Sequence, residues 1–207
     1  MDYGRDLFPF TLADGTGILL GPVISEDRAR IRDGVARMSG YSRYLRFFTG
    51  SPHLTDDLLT YLTEIDQKNH VAWCALEPAA GLPGIGLGRF VRLAEKPEIA
   101  EFALAVVDPW QRRNIGTILL AMLWLLARRD GVRTLRGLVL PENDVALAWF
   151  RNLGAAVQYR QDINEADLPV RDLSAFPPTA SAGRFQATIR MLQEAWDVHR
   201  NRGQHEQ

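Results

Sequence analysis

Residues 98–117, EIAEFALAVVDPWQRRNIGT, hold the densest chemistry in this 207-residue chain. An apolar run broken by one acid, Glu101, ends at Asp108-Pro109. A tight turn follows, and a second apolar segment starts near Gly116. With the first segment as a strand and the second as a helix, the amides from Arg112 to Thr117 converge at the helix's positive end. That arrangement cradles a pyrophosphate, and Arg112 and Arg113 add formal charge to it. On pattern alone an ordinary strand-turn-helix fits the same residues. Glu101 suits proton acceptance if the strand is partly buried, because desolvation raises a carboxyl pKa. The alternative is an outward-facing strand residue.

The elements that must position these groups can be read from patterning. Asp14-Gly15 marks a turn before a short strand at 18–20. Ser25 is a cap for a helix over 26–38, with Glu26 and Asp27 at its positive end. Residues 42–48 (SRYLRFF) suit a short helical turn, and Thr55 starts a helix that runs to about 66. Strands are expected at 70–76 and 85–93, paired across the 81–84 turn, and at 99–107. Residues 116–129 are apolar nearly all round, so a buried helix is expected, stopped by Gly131. A strand at 132–140, a helix at 142–152 ending near Gly154, and a last strand at 155–160 complete a mixed α/β sheet. Gly84-Ile85-Gly86-Leu87-Gly88 reads as a glycine-rich strand rather than a dinucleotide loop, since no helix follows. Residues 174–183 have linker composition, and 184–200 place Phe185, Ile189, Leu192, Trp196 and His199 on one helical stripe. The expected division is a domain over 1–166 and a linker with C-terminal helix over 167–207.

Lys+Arg 24 against Asp+Glu 25 leaves a net charge of -1, with lysine only at 68 and 96. No basic face for nucleic acid or a membrane surface is implied. One cysteine, Cys74, excludes an intrachain disulfide and reads as a core residue; the four histidines have no metal-ligand spacing, so no metal is expected. There is neither a signal-peptide pattern nor an apolar run long enough to span a bilayer, and a cytoplasmic location is the expectation.

The run Gln111-Arg112-Arg113-Asn114-Ile115-Gly116 resembles the phosphate motif of the GNAT superfamily of N-acetyltransferases, with Asn114 where glycine is usual. Asparagine tolerates positive φ better than other non-glycine residues. Asn143-Asp144-Val145-Ala146 resembles the family's later Asn-x-x-Ala motif. Ser42 to Phe48, Pro52-His53-Leu54-Thr55-Asp56, Asp66 and His70-Val71-Ala72-Trp73 look like the catalytic domain of bacterial Pat-type protein-lysine acetyltransferases, a likeness covering roughly 12–160.

The resemblance implies the GNAT fold, a mixed, mostly antiparallel central sheet flanked by helices, here with a C-terminal helical extension. It implies acetyl-CoA as co-substrate and a primary amine as acceptor, a protein lysine by preference, attacked directly in a ternary complex. Glu101 is then the general base. Ala105, Val106 and Val107 offer backbone to the thioester and pantetheine. Gln111, Arg112, Arg113, Asn114, Ile115, Gly116 and Thr117 cradle the pyrophosphate, and Asn143 contacts the cofactor. Phe150 stands where many relatives carry a tyrosine acid. A small-amine acetyltransferase and a catalytically inactive acyl-CoA sensor are the alternatives. His53 is expected in the acceptor region, paired with Glu101 when no acceptor is bound. Arg43 and Arg46 either steer an acidic acceptor or are solvated helix charges. The C-terminal stripe covers the acceptor site, builds a homodimer, or packs on its own domain, the last by default. Deletion of 174–207 is expected to alter acceptor use more than cofactor affinity, unless the segment is needed for folding.

Overall fold

The computed structural model describes residues 6–205, with side chains to residue 199; residues 1–5 and 206–207 of the expected spans lie outside the described residues. Eight strands form one sheet: β1 (Phe8–Thr11), β2 (Gly17–Pro22), β3 (His70–Leu76), β4 (Gly84–Leu93), β5 (Lys96–Val106), β6 (Thr134–Val139), β7 (Ala156–Arg160) and β8 (Ile163–Pro169). Their order is β1-β2-β3-β4-β5-β6-β8-β7. Every neighbouring pair is antiparallel except β5–β6, which is parallel. Among the described residues there are also six α-helices: α1 (Arg28–Ala36), α2 (Gly40–Phe47), α3 (Asp56–Thr63), α4 (Ile115–Arg129), α5 (Asp144–Asn152) and α6 (Ala180–His205).

Local chemistry accounts for most of these bounds. Thr55 caps α3 by accepting the Leu58 N–H at 3.2 Å, and Ser39 caps α2 through the Ser42 N–H at 3.1 Å. Gly131 and Gly154 end α4 and α5 at φ 78° and 83°. The helix expected at 26–38 is instead a 3-10 turn, Ser25–Asp27, followed by α1. Ser25 does not cap it. The Asp27 carboxylate accepts the Ile24 N–H and the Arg30 guanidinium.

Two strands escape the sequence reading. β1 pairs with β2 around the Asp14-Gly15 turn. β8 runs between β6 and β7, so β7 is not the last strand, and residue 166 lies inside a strand. Arg136 on β6 holds Asp167 at 2.7 Å and Glu165 at 3.1 Å, which offsets the polarity of β8.

The sheet is covered on both faces. On one, α4, α5 and α6 pack over the main core; on the other, α1, α2 and α3 cover a smaller cluster that includes Cys74, Leu76 and Leu82. Helix α4 comes close because β4 lacks side chains beneath it. A Cβ at Gly86 would meet Ile115 and Leu119 at 2.9 Å, and one at Gly88 would meet Leu104 at 3.1 Å. Helix α6 docks its stripe on its own domain: Phe185, Ile189 and Leu192 are fully buried. Trp196 sits 5.6 Å from Phe8 and 4.9 Å from Trp73, ring centre to ring centre, and His199 contacts Asp6. It lies beside α4, away from the cavities that contain Glu101.

Candidate active site

The parallel pairing of β5 and β6 lasts only from Ile99↔Thr134 to Phe102↔Gly137. Beyond it β5 runs on to Val106 with no partner on that edge, so the sheet opens into a V. The Val107 N–H bonds to Ile85 O on β4 at 3.1 Å. Strand alternation then turns the N–H groups of Leu104 and Val106 toward the open edge and that of Ala105 toward β4. Ala105 and Val107 are therefore not open backbone sites, against expectation, while Leu104, which the sequence reading passed over, is one.

Helix α2 lies across the opening and is tied to both arms. On the β5 arm, Asp108 accepts the Ser39 N–H at 2.8 Å and the Ser42 hydroxyl at 3.0 Å. Partial burial alone would raise the Asp108 carboxyl, but these bonds outweigh it and hold the group below its ordinary range. Gln111 donates through Nε2 to Ser42 Oγ at 3.0 Å and to Val106 O at 3.1 Å. On the β6 arm, the Tyr44 hydroxyl donates to Glu142 at 2.5 Å, which lowers the carboxyl and raises the phenol.

The turn between β5 and α4 has the form a phosphate cradle requires. Arg112 and Asn114 adopt left-handed φ of 59° and 70°, so asparagine does serve at the usual glycine position. No side chain caps α4, and the first amide bonded back to Asn114 is that of Ile118. The amides of Ile115, Gly116 and Thr117 thus lack partners within the helix. A Cβ at Gly116 would meet nothing within 4 Å outside its own helix turn and chain neighbours, so the glycine borders open space and is not needed for packing against the core. Gly116→Val is expected to leave the melting temperature nearly unchanged and to weaken acetyl-CoA binding by about tenfold or more. Calorimetric titration checks this; undiminished affinity would place the pyrophosphate elsewhere.

The two arginines of the turn divide their roles. Arg113 is committed to the β1–β2 turn, bonding Asp14 at 2.8 Å and Thr16 at 2.6 Å over the Trp110 ring. The Arg113 hydrogen bond comes first among the causes that hold the Asp14 carboxyl at about 2. Arg112 is exposed, with no side-chain partner among the described residues, and is the cation free to meet a phosphate. Asn143 caps α5 by accepting the Ala146 N–H at 3.2 Å and also lines the cleft between β5 and α5, of about 380 Å³.

Glu101 stands one residue before the V opens, opposite Val91 on β4 and Arg136 on β6. It faces the α2–α3 side and is exposed rather than partly buried. It forms a shared wall of two cavities, of about 210 and 390 Å³. Half-buried Arg46 lines both, and the cleft between β5 and α5 as well. Arg46 is thus no solvated helix charge, whereas Arg43 is structural, donating to Met38 O and Gly50 O at 2.9 and 3.0 Å. His53 lines a separate surface cleft with Arg32 and Arg43 and has no bond to Glu101, so the expected pairing does not form. Phe150 is buried edge-on against Phe102 at 5.6 Å and brings no acid to the site.

At the far end of the larger cavity, Arg89 lies 4.4 Å from the centre of the Tyr61 ring. That ring also contacts His70, whose Nε2 is buried without a hydrogen-bond partner. Burial, followed by the Arg89 charge, lowers His70 to about 4 from an ordinary 6.5. Between these values the unfolded chain takes up a proton that the folded chain refuses, so stability falls as pH drops from 6.5 toward 4. The loss is about 2 kcal/mol after allowance for partial exposure. Denaturant unfolding at pH 7 and pH 4.5 is expected to show it in the parent and not in His70→Phe; equal losses in both would remove the assignment. Asp66, held at about 2 chiefly by the His70 N–H, acts in a lower window. Its contribution, present above 3.8, is lost as pH falls through about 2.

Among the described residues no cluster of His, Cys, Asp or Glu could hold a metal ion, and no helix is long and apolar enough to cross a membrane. Acetyltransferase Pat of Mycolicibacterium smegmatis is 34% identical over 174 residues, covering 82% of this chain and 51% of that protein. An acetyltransferase of Pseudomonas aeruginosa is 32% identical over 124 residues, covering 59% of this chain and 66% of that one. The chain therefore spans about half to two thirds of these curated relatives. The crystal structure of the GNAT domain of S. lividans PAT shares the fold, with TM-score 0.71 and 24% identity over 79% of this chain and 96% of that domain. A cAMP-binding acyltransferase from Mycobacterium smegmatis matches with TM-score 0.59 and 28% identity, over 92% of this chain and 56% of that one. With the acetyltransferase (GNAT) family matching residues 38–155, the chain belongs to that family and is related to the Pat acetyltransferases.

Proposed function

We propose that this acetyltransferase moves an acetyl group from acetyl-CoA to the side-chain amine of a protein lysine, with Glu101 as general base. The observation that carries the reading is the place of Glu101: on β5, just before the V opens, on the wall of the cavities that adjoin the cofactor cleft. When bound, acetyl-CoA supplies the activated thioester. The amides of Ile115, Gly116 and Thr117, with Arg112, hold its pyrophosphate, and the open edge of β5 offers the Leu104 and Val106 amides to the pantetheine arm and the acyl oxygen.

The chain's own residues then handle the proton. A lysine ammonium of pKa near 10.4 must lose a proton before attack, which costs about 4–5 kcal/mol at pH 7. Glu101 takes that proton directly or through one water, and Arg46 and Arg89 on the same cavity favour the neutral amine by like-charge repulsion. No acid stands at Phe150, so the thiolate departs without a proton from that position, as a thiol of modest pKa allows. Exposed Phe48 and Tyr61 rim the two cavities and offer apolar contact to a polypeptide acceptor.

The test is incubation of the protein with labelled acetyl-CoA, a lysate, and a panel of small amines. Label on protein lysines supports the reading, label on small amines alone redirects it, and acetyl-CoA binding with no transfer favours the sensor.

A further inference from the structure

The larger cavity has a charge imbalance, and repelling the ammonium form of the amine is not the only task it can perform. Its charged lining consists of two cations, Arg46 and Arg89, and one anion, Glu101. Arg89 is 8% exposed, inside an otherwise apolar stretch of β4. Neither arginine side chain has a hydrogen bond or ion pair with a described residue; their contacts are rings, Phe47 at 4.9 Å for Arg46 and Tyr61 at 4.4 Å for Arg89. A buried cation without an anion is costly, and a chain would normally pair it or place it at the surface. Glu101 does not serve, because no ion pair forms and its carboxylate must stay free to take a proton. Burial and the neighbouring Arg89 charge depress Arg46 to about 10, with Glu101 acting in the opposite sense, so the Arg46 guanidinium remains charged near neutrality. A lone lysine ammonium entering here would meet net repulsion.

We propose that Arg46 and Arg89 form a carboxylate-binding subsite for the acceptor, so that the favoured amine belongs to a molecule with a carboxylate close to it. The register sets the separation. Arg89 lies opposite Ala103, two residues along β5 from Glu101. Diagonal neighbours on one sheet face stand about 7 Å apart, so amine and carboxylate are held at the spacing of adjacent side chains of a peptide. Guanidinium groups suit this task through paired N–H donors in one plane. The carboxylate can be an acidic side chain beside the target lysine or the carboxylate of a free amino acid.

This inference rests on Glu101 being the place where the amine arrives. The test uses two matched acceptor pairs with the whole chain: a short peptide with one lysine flanked by glutamates against its glutamine counterpart, and Nα-acetyl-lysine against its carboxamide. The expected result is a kcat/KM about tenfold or more higher for the carboxylate member of at least one pair, and the pair that shows it identifies the source. In Arg46→Gln that ratio should fall to about one, and Arg46→Lys should restore part of it. Arg89→Gln should act likewise; should it fail to fold, Arg46→Gln alone decides. Transfer with equal rates within both pairs overturns the subsite and leaves the base assignment standing. If no acceptor is turned over, calorimetric titration of the two peptides against the parent and Arg46→Gln decides separately. Tighter binding of the glutamate peptide, lost in the variant, supports the subsite, and equal affinities overturn it.

Discussion

Glu101→Gln is expected to lower kcat by about 10²–10⁴-fold while acetyl-CoA affinity stays within about twofold. Glutamine keeps the size of the side chain and cannot accept a proton at neutral pH. Because Glu101 is exposed and enters no ion pair among the described residues, its replacement leaves no buried charge without a partner. A folding defect is therefore not expected to mimic a catalytic one. The amides proposed to hold the cofactor lie at the other end of β5 and in the turn after it, which is why binding and turnover should separate. Pre-steady-state rates with equilibrium binding measure both quantities, and an unchanged kcat would sink the base assignment.

Ending the chain before Ala180 is expected to abolish cooperative unfolding. Removal of α6 takes away the fully buried side chains of Phe185, Ile189 and Leu192, each worth about 1.5–3 kcal/mol. Loss of Trp196 bares Phe8 and Trp73 as well. The sum approaches the whole stability of an ordinary domain, about 5–15 kcal/mol. Selective loss of acceptor use, the outcome expected for deletion of 174–207, does not fit this packing; loss of folding, the stated alternative, does. A native-like calorimetric melt of the shortened chain would show that α6 is an accessory after all.

The elements legible in the sequence are those with punctuation. Thr55, Gly131 and Gly154 act as caps and stops, and β3 was bounded correctly by its apolar run. β8 was hidden because INEADLP carries two acids, whose partner Arg136 is remote in sequence. Its hairpin turn was hidden too. Gln161 and Asp162 both take positive φ, of 46° and 64°, without the glycine that would announce it.

The site was legible in part, for a related reason. The turn at 111–117 advertises itself through residue types, but the tasks of its side chains depend on distant partners. Arg113 serves Asp14, and Gln111 serves Ser42, neither of which a local motif reveals. Asp108 read as a strand end and proves to anchor α2. Arg89 left one signal, a cation in the middle of a glycine-rich, largely apolar strand.

Helix α2 carries Ser42 toward the phosphate turn and Arg46 toward the acceptor cavity, one helical turn apart. A helix of fixed pitch, about 1.5 Å per residue, pinned at Asp108 and Glu142, therefore works as a ruler between the two substrates. It fixes how far the acceptor's anion sits from the cofactor's phosphates, whatever the rest of the acceptor looks like. Selectivity in such an arrangement is a matter of length before it is one of shape.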